Sequence, residues 1–205
     1  MGRVLLFASY ESKHLIPGMR FSASAGYVSD PRYNFFGFNG DACEYNPLKS
    51  GNYLMSRNFF RFISDFQGKM GGHLNWVAGV SFWNFKTGEV QQKYGGENVE
   101  TVYSRYVRYG VIKSSEASGG SRLEFKAGLC YDSRDKEAAP DRGIWAELYC
   151  NGSPDFFGDG HSYLKFNAHF RHYLSIPLNI PAGNPVFAYH LAYQSTVAGD
   201  APFYM

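Results

Sequence analysis

The chain has 205 residues, room for one ordinary domain, and its 20 Lys and Arg against 18 Asp and Glu leave a formal net charge of +2. The basic residues are scattered rather than clustered, so no nucleic-acid partner is indicated. No run of about 18 apolar residues occurs, which excludes a transmembrane helix.

From the N-terminus, strand candidates bounded by Gly, Pro, Asn and Asp clusters run over 3–9, 19–27, 32–38, 54–66, 73–86, 122–132, 143–151, 161–175 and 185–197. Within 161–175 the pattern is unbroken. Leu164, Phe166, Ala168 and Phe170 point one way, and Lys165, Asn167, His169 and Arg171 the other. The same period of two recurs along most of the chain, with large aromatics on the apolar series. That repetition predicts a sheet closed on itself, lipid outside and water inside. A mean hydropathy of −0.33 is compatible with this, because only alternate residues need be apolar. The 18 Phe, 16 Tyr and 3 Trp fit as well, since Tyr and Trp favour membrane interfaces, where one end of the ring is apolar and the other wet.

The connections alternate in character. Val28-Ser29-Asp30-Pro31, Gly68-Lys69-Met70-Gly71-Gly72 and Ile180-Pro181-Ala182-Gly183 read as tight turns, whereas 39–53 and 87–121 are long and polar. Outer-membrane barrels have short periplasmic turns and longer outer loops. The order therefore places 133–142 and 176–184 on the periplasmic side, with 39–53, 87–121 and 152–160 outside. Parity forces 101–110 to begin and end outside, so it cannot span. Val102, Tyr106 and Tyr109 fit a helical spacing with Gly110 as a stop, and a short helix in an outer loop is expected. No signal peptide precedes Val4-Leu5-Leu6-Phe7, and Phe7 and Ala8 spoil a myristoylation motif at Gly2, so the chain is expected to be a piece of a longer exported protein.

Chemistry-bearing groups read as structural. Cys43, Cys130 and Cys150 form no zinc pattern, and alternation puts Cys130 and Cys150 on opposite faces, so three free thiols are expected. Asp132, Arg134 and Asp135 invite a catalytic or metal reading, but opposite charges beside Pro140 and Gly143 fit a turn held by ion pairs and Asp side-chain bonds. His169 and His172 differ in parity and cannot easily share a metal. Gly37-Phe38-Asn39-Gly40-Asp41 has no following helix to hold phosphate and reads as a turn. Lys165 and Arg171, with Glu124, Lys126 and Glu147, read as the lining of a water-filled lumen. No catalytic residue, metal or cofactor is assigned.

Tyr131-Asp132-Ser133-Arg134-Asp135, then Pro140-Asp141-Arg142-Gly143, Ser153-Pro154-Asp155-Phe156-Phe157-Gly158, Tyr163-Leu164-Lys165 and Gly199-Asp200-Ala201-Pro202-Phe203-Tyr204 follow one another in a telling order. The succession resembles the C-terminal barrel of the bacterial surface antigen superfamily, which holds the BamA- and TamA-type outer-membrane assembly factors and the two-partner secretion translocators. Tyr33-Asn34-Phe35-Phe36-Gly37-Phe38 and Arg57-Asn58-Phe59-Phe60-Arg61-Phe62 also look like barrel segments of its members, especially those from Bacteroidetes.

The resemblance implies a bacterial outer-membrane protein that inserts or translocates polypeptides without being an enzyme. Its implied partners are the lipid bilayer, client outer-membrane proteins or secreted polypeptides, and accessory assembly subunits. It further implies that residues 1–205 are part of a larger barrel, lacking the family's POTRA domains and its last strands, an Arg-Gly-Phe loop included. The expected fold is therefore all-β: an antiparallel up-and-down transmembrane barrel, incomplete at about nine strands, forming an open curved sheet. A passive porin-type channel is the alternative, and an outer-membrane enzyme a more remote one.

Overall fold

The computed structural model describes residues 2–38, 46–94, 97–178 and 183–205. Eight long strands form one antiparallel sheet in simple sequence order: β1 (Val4–Ile16), β2 (Met19–Asn34), β3 (Leu54–Gly71), β4 (Leu74–Glu89), then β7 (Ser121–Asp132), β8 (Gly143–Ser153), β9 (Tyr163–Ser175) and β10 (Val186–Gly199). Between β4 and β7, the long connection carries a small hairpin, β5 (Gln92–Tyr94) and β6 (Glu97–Val99), and a short helix, α1 (Val102–Arg108). The sheet is open, since β1 and β10 do not pair with each other.

The main sheet has eight strands rather than nine. Residues 19–27 and 32–38 were expected as two strands around a turn at Val28-Ser29-Asp30-Pro31, but Met19–Asn34 is one strand, β2, and Phe35–Phe38 lie beyond its end. Its register against β3 shifts between Asp30 and Tyr33, so Pro31 sits at a bulge. There a missing backbone N–H costs least, which is why a proline can stay inside a strand. The Ile180-Pro181-Ala182 part of the last turn, Asn39-Gly40-Asp41 and Cys43 lie outside the described residues.

The connections at Pro17–Gly18, 72–73 and 133–142 lie at one end of the strands, and 154–162 with the described parts of 35–53 and 90–120 at the other. The helix forms where expected. The Thr101 side chain caps its first turn by accepting from the Ser104 N–H at 3.2 Å, and Gly110, at φ +71°, follows the last turn. Tyr109 points outward instead of into the packed side, because it is already the C-cap.

Facing along the strands follows the predicted alternation, and burial is inverted relative to a soluble sheet. Arg122, Glu124, Lys165 and Asn167 are buried, while Leu148, Leu164, Leu191 and Val197 are exposed; Arg122 is 0% exposed and Leu191 62%. Charged groups are almost never fully buried in soluble proteins, and broad exposed apolar faces are rare there. Aromatic pairs tile the apolar face across neighbouring strands, including Phe21–Phe66, Phe60–Phe82, Phe166–Tyr193 and Phe170–Tyr189.

The sheet curls toward its polar face. Lys13 and Arg20, near the β1–β2 turn, reach Glu137 in the β7–β8 turn at 2.8 and 3.0 Å. In a flat sheet β1 and β7 would be about four strand spacings apart, roughly 19 Å. Only a bent sheet, with the 133–142 turn leaning across, lets them meet. Glycines on the inner face permit the bend. The Phe7 side chain lies over Gly26, Asp65 over Gly79 and Tyr149 over Gly128, in places where a Cβ would collide.

The exposed apolar face predicts a mutational asymmetry in a bilayer. Phe166→Arg is expected to destabilise the reconstituted protein by about 2–4 kcal/mol if the site lies near the bilayer midplane, whereas Lys165→Gln costs well under that. Urea unfolding in lipid vesicles checks it, and equal tolerance at the two positions would reject a lipid-facing Phe166.

Candidate functional site

The candidate functional surface is the inner wall together with the two structures at its ends. Opposite charges on the wall pair across strands. Lys126 holds Glu147 at 2.9 Å and approaches Asp65 at 3.9 Å, reaching over β4 at Gly79, which is in register with both Asp65 and Lys126. Glu124 accepts from the Tyr163 hydroxyl at 2.9 Å, from the Ser81 hydroxyl at 3.1 Å and from the Trp83 indole N–H at 3.2 Å. Three donors on one carboxylate offset the cost of burying it. Lys165 lies 4.8 Å from the centre of the Tyr163 ring.

Cations on β3 are treated differently. Arg57 and Arg61 have no carboxylate within ion-pair distance among the described residues. The rings of Tyr33, Phe59 and Phe85 surround Arg57 at 5.1–5.4 Å, and those of Phe7 and Trp83 flank Arg61 at 5.1 and 5.8 Å. Ring faces carry negative electrostatic potential, so they hold a guanidinium without neutralising its charge. Further along the wall, Arg171 stacks on Trp145, and Tyr149, His169 and His190 stack in a row across β8, β9 and β10.

The short-turn end carries the first group of motif residues. Tyr131 is on the apolar face beside His73. Asp132 accepts twice from the Arg134 guanidinium, at 2.9 and 2.8 Å. Asp135 Oδ1 gathers the backbone N–H groups of Lys136, Asp141 and Arg142, closing the turn around Pro140. Gly143, at φ +112°, passes so close to the Ser133 and Arg134 backbone that a side chain has no room. The turn so built is a strap, tied by Glu137 to Lys13 and Arg20. A cavity of about 670 Å³ lies there, lined by Lys13, Arg20, Lys69, His73, Asp132 and Arg134 among others.

At the long-loop end the second group helps to form a cap. Met55, Tyr103 and Ile112 make a buried cluster, with Phe35, Tyr106, Val107, Ala117 and Phe203 packed against it. Gly199 ends β10, and the tail that follows turns inward. Asp200 pairs with Lys113 at 2.6 Å, Pro202 is buried, Phe203 donates its N–H to Glu116 at 3.0 Å, and the Tyr204 ring meets Phe85 at 5.1 Å. His161, nearly buried, stands 3.9 Å from Glu116 and from Asp200.

Arg122, on the wall just beneath the cap, pairs with Asp159 of the 154–162 loop. Sequence reasoning missed the Arg122–Asp159 and Glu116–His161 contacts. Arg122 shares its parity with Glu124 and Lys126 but was not singled out, and nothing local marks Asp159 or Glu116 as partners. Among the described residues no group of His, Cys, Asp and Glu is arranged to hold a metal. The described cysteines, Cys130 and Cys150, are free and face opposite sides.

Two outcomes follow from the end structures. The Glu137 carboxyl is held below the ordinary Glu value, first by the Lys13 hydrogen bond and then by the Arg20 charge. A depressed carboxylate stabilises the fold fully above its unfolded pKa of about 4.3 and loses that contribution as pH falls through the lower folded value. Because these pairs are half-exposed, each contributes only about 0–1 kcal/mol. Spin labels introduced as His14→Cys and Ala138→Cys should show a narrow distance distribution at pH 7. It should broaden below about pH 4, and in Glu137→Gln at either pH. At the other end, Arg122→Gln leaves Asp159 without its ion-pair partner. Protease nicking at 154–160 should rise several-fold while the spectrum of the sheet is unchanged.

No family model matches the chain, and no curated protein matches it. Among solved structures it is similar in fold to the crystal structure of BamA from Haemophilus ducreyi lacking POTRA domains 1-3, at a TM-score of 0.54 and 15% identity. The likeness covers 98% of this chain and 35% of that one, so the chain spans about a third of the BamA chain's length. What the two share, on these figures, is the fold: an antiparallel, barrel-like sheet.

Proposed function

We propose that this chain is part of a bacterial outer-membrane barrel that inserts or translocates polypeptides, acting mechanically and without covalent chemistry, metal or cofactor. The observation that carries the reading is an inside-out open sheet that follows a BamA barrel fold over almost the whole chain. On this reading the apolar face meets the lipid of the outer membrane and the strap lies on the periplasmic side. The clients are unfolded outer-membrane proteins or secreted polypeptides, and accessory assembly subunits are further partners. A barrel wall with a weakly paired seam lowers the barrier for a client strand, whose backbone groups would otherwise enter hydrocarbon without partners.

A passive channel requires a clear path. The cap built from α1, the 110–120 segment and the 200–205 tail packs over the long-loop end, which favours the assembly reading over a porin. Reconstitution of the full-length polypeptide in lipid vesicles separates them. Addition of an unfolded barrel client should give folding several-fold faster than in empty vesicles, scored by resistance to protease. Steady solute flux without any gain in client folding would overturn the proposal and leave the channel.

A further inference from the structure

We propose that Phe156 and Phe157 form a membrane anchor, a lipid-contact site that lays the 154–162 loop against the acyl chains of one leaflet instead of in water. The inference rests on the membrane reading above and goes beyond it, since a polar loop after a strand is expected to stand clear of the bilayer.

The geometry comes from a step in the wall. Pairing between β7 and β8 ends at Phe125↔Gly152, while β7 continues four residues further, to Ser121, against β4 alone. The 154–162 loop occupies that step and straddles the rim. On the inner side, Asp159 pairs with the wholly buried Arg122. On the other side, Phe156 packs edge-on against Phe125, and Phe157 against Phe82, with centroids 6.1 and 6.4 Å apart. Phe125 and Phe82 belong to the apolar outer face, as their register partners Val80 and Leu123 do. The two loop rings therefore extend that face without a break.

Both rings remain open, Phe156 at 58% and Phe157 at 50% exposed. Asp155 accepts from the backbone N–H of Asp159 at 3.1 Å and of Gly160 at 2.9 Å, which closes the loop beneath them. Two adjacent phenylalanines held half-open in water would be costly, and continuity with the lipid face names what covers them. Aromatic rings at this level of a barrel lie at the boundary between headgroups and acyl chains.

The test uses the full-length polypeptide with Cys43, Cys130 and Cys150 replaced by serine, carrying one cysteine introduced as Phe157→Cys, Phe166→Cys or Lys165→Cys. Each is labelled with an environment-sensitive fluorophore in phosphatidylcholine vesicles doped with nitroxide lipids at a shallow or a deep acyl position. At 157 the shallow quencher should cut emission at least two-fold more than the deep one. The label at 166 should be quenched by lipid and that at 165 by neither. Quenching at 166 without quenching at 157 overturns the anchor and leaves the membrane reading intact, and a blue-shifted but unquenched label at 157 overturns it in favour of a protein cover. Loss of quenching at both 157 and 166 overturns the membrane reading itself. Should the Phe157→Cys protein fail to fold, the same readout at Phe156→Cys decides.

Discussion

Hydrocarbon offers a peptide group nothing to bond with. Each N–H and C=O placed there must find its partner on a neighbouring strand, at several kcal/mol per unmet group. On the membrane reading proposed above, that requirement accounts for the simple strand order of this sheet. Neighbours in sequence are neighbours in space, in strands of 11 to 18 residues joined by antiparallel ladders. It also explains the reversal of burial. Once the backbone is satisfied laterally, side chains are free to sort by solvent alone, apolar outward and charged inward. The inner wall then has its own problem, which is to keep charges apart from hydrocarbon yet near compensation. Pairing across Gly79, three donors on Glu124 and aromatic rings around Arg57 and Arg61 are three different answers to it.

Period two was legible because it survives in any strand whose faces meet different solvents. The facing of Lys165 and Phe166, the separation of Cys130 from Cys150, and the helix at 102–108 all followed from parity or spacing. The exception was Pro31. With Asp30 before it, proline reads as a turn, and only the register shift against β3 shows that a bulge absorbs it. Local signals cannot distinguish a bulge from a hairpin when both use the same residues.

The cap was not legible, for a different reason. Its contacts join residues far apart in the chain, Arg122 to Asp159 and Phe203 to Glu116, and no periodicity encodes such pairs. The motif residues split along the same line. Asp132, Arg134 and Asp135 act within a few residues of themselves, so their turn could be read locally. Tyr163 and Asp200 depend on Glu124 and Lys113, which only the folded chain brings to them.

Gly79 shows how much geometry an absent methyl group can hold. Asp65 leans into the space above it to approach Lys126, drawing β3 and β7 together on the polar side. The angle between successive strands fixes how many are needed before a wall meets itself, since diameter grows with strand number. A larger residue at Gly79 would push β3 and β7 apart, flatten this part of the wall and raise the count required for closure. Barrel size thus rests partly on where the inner face carries nothing at all.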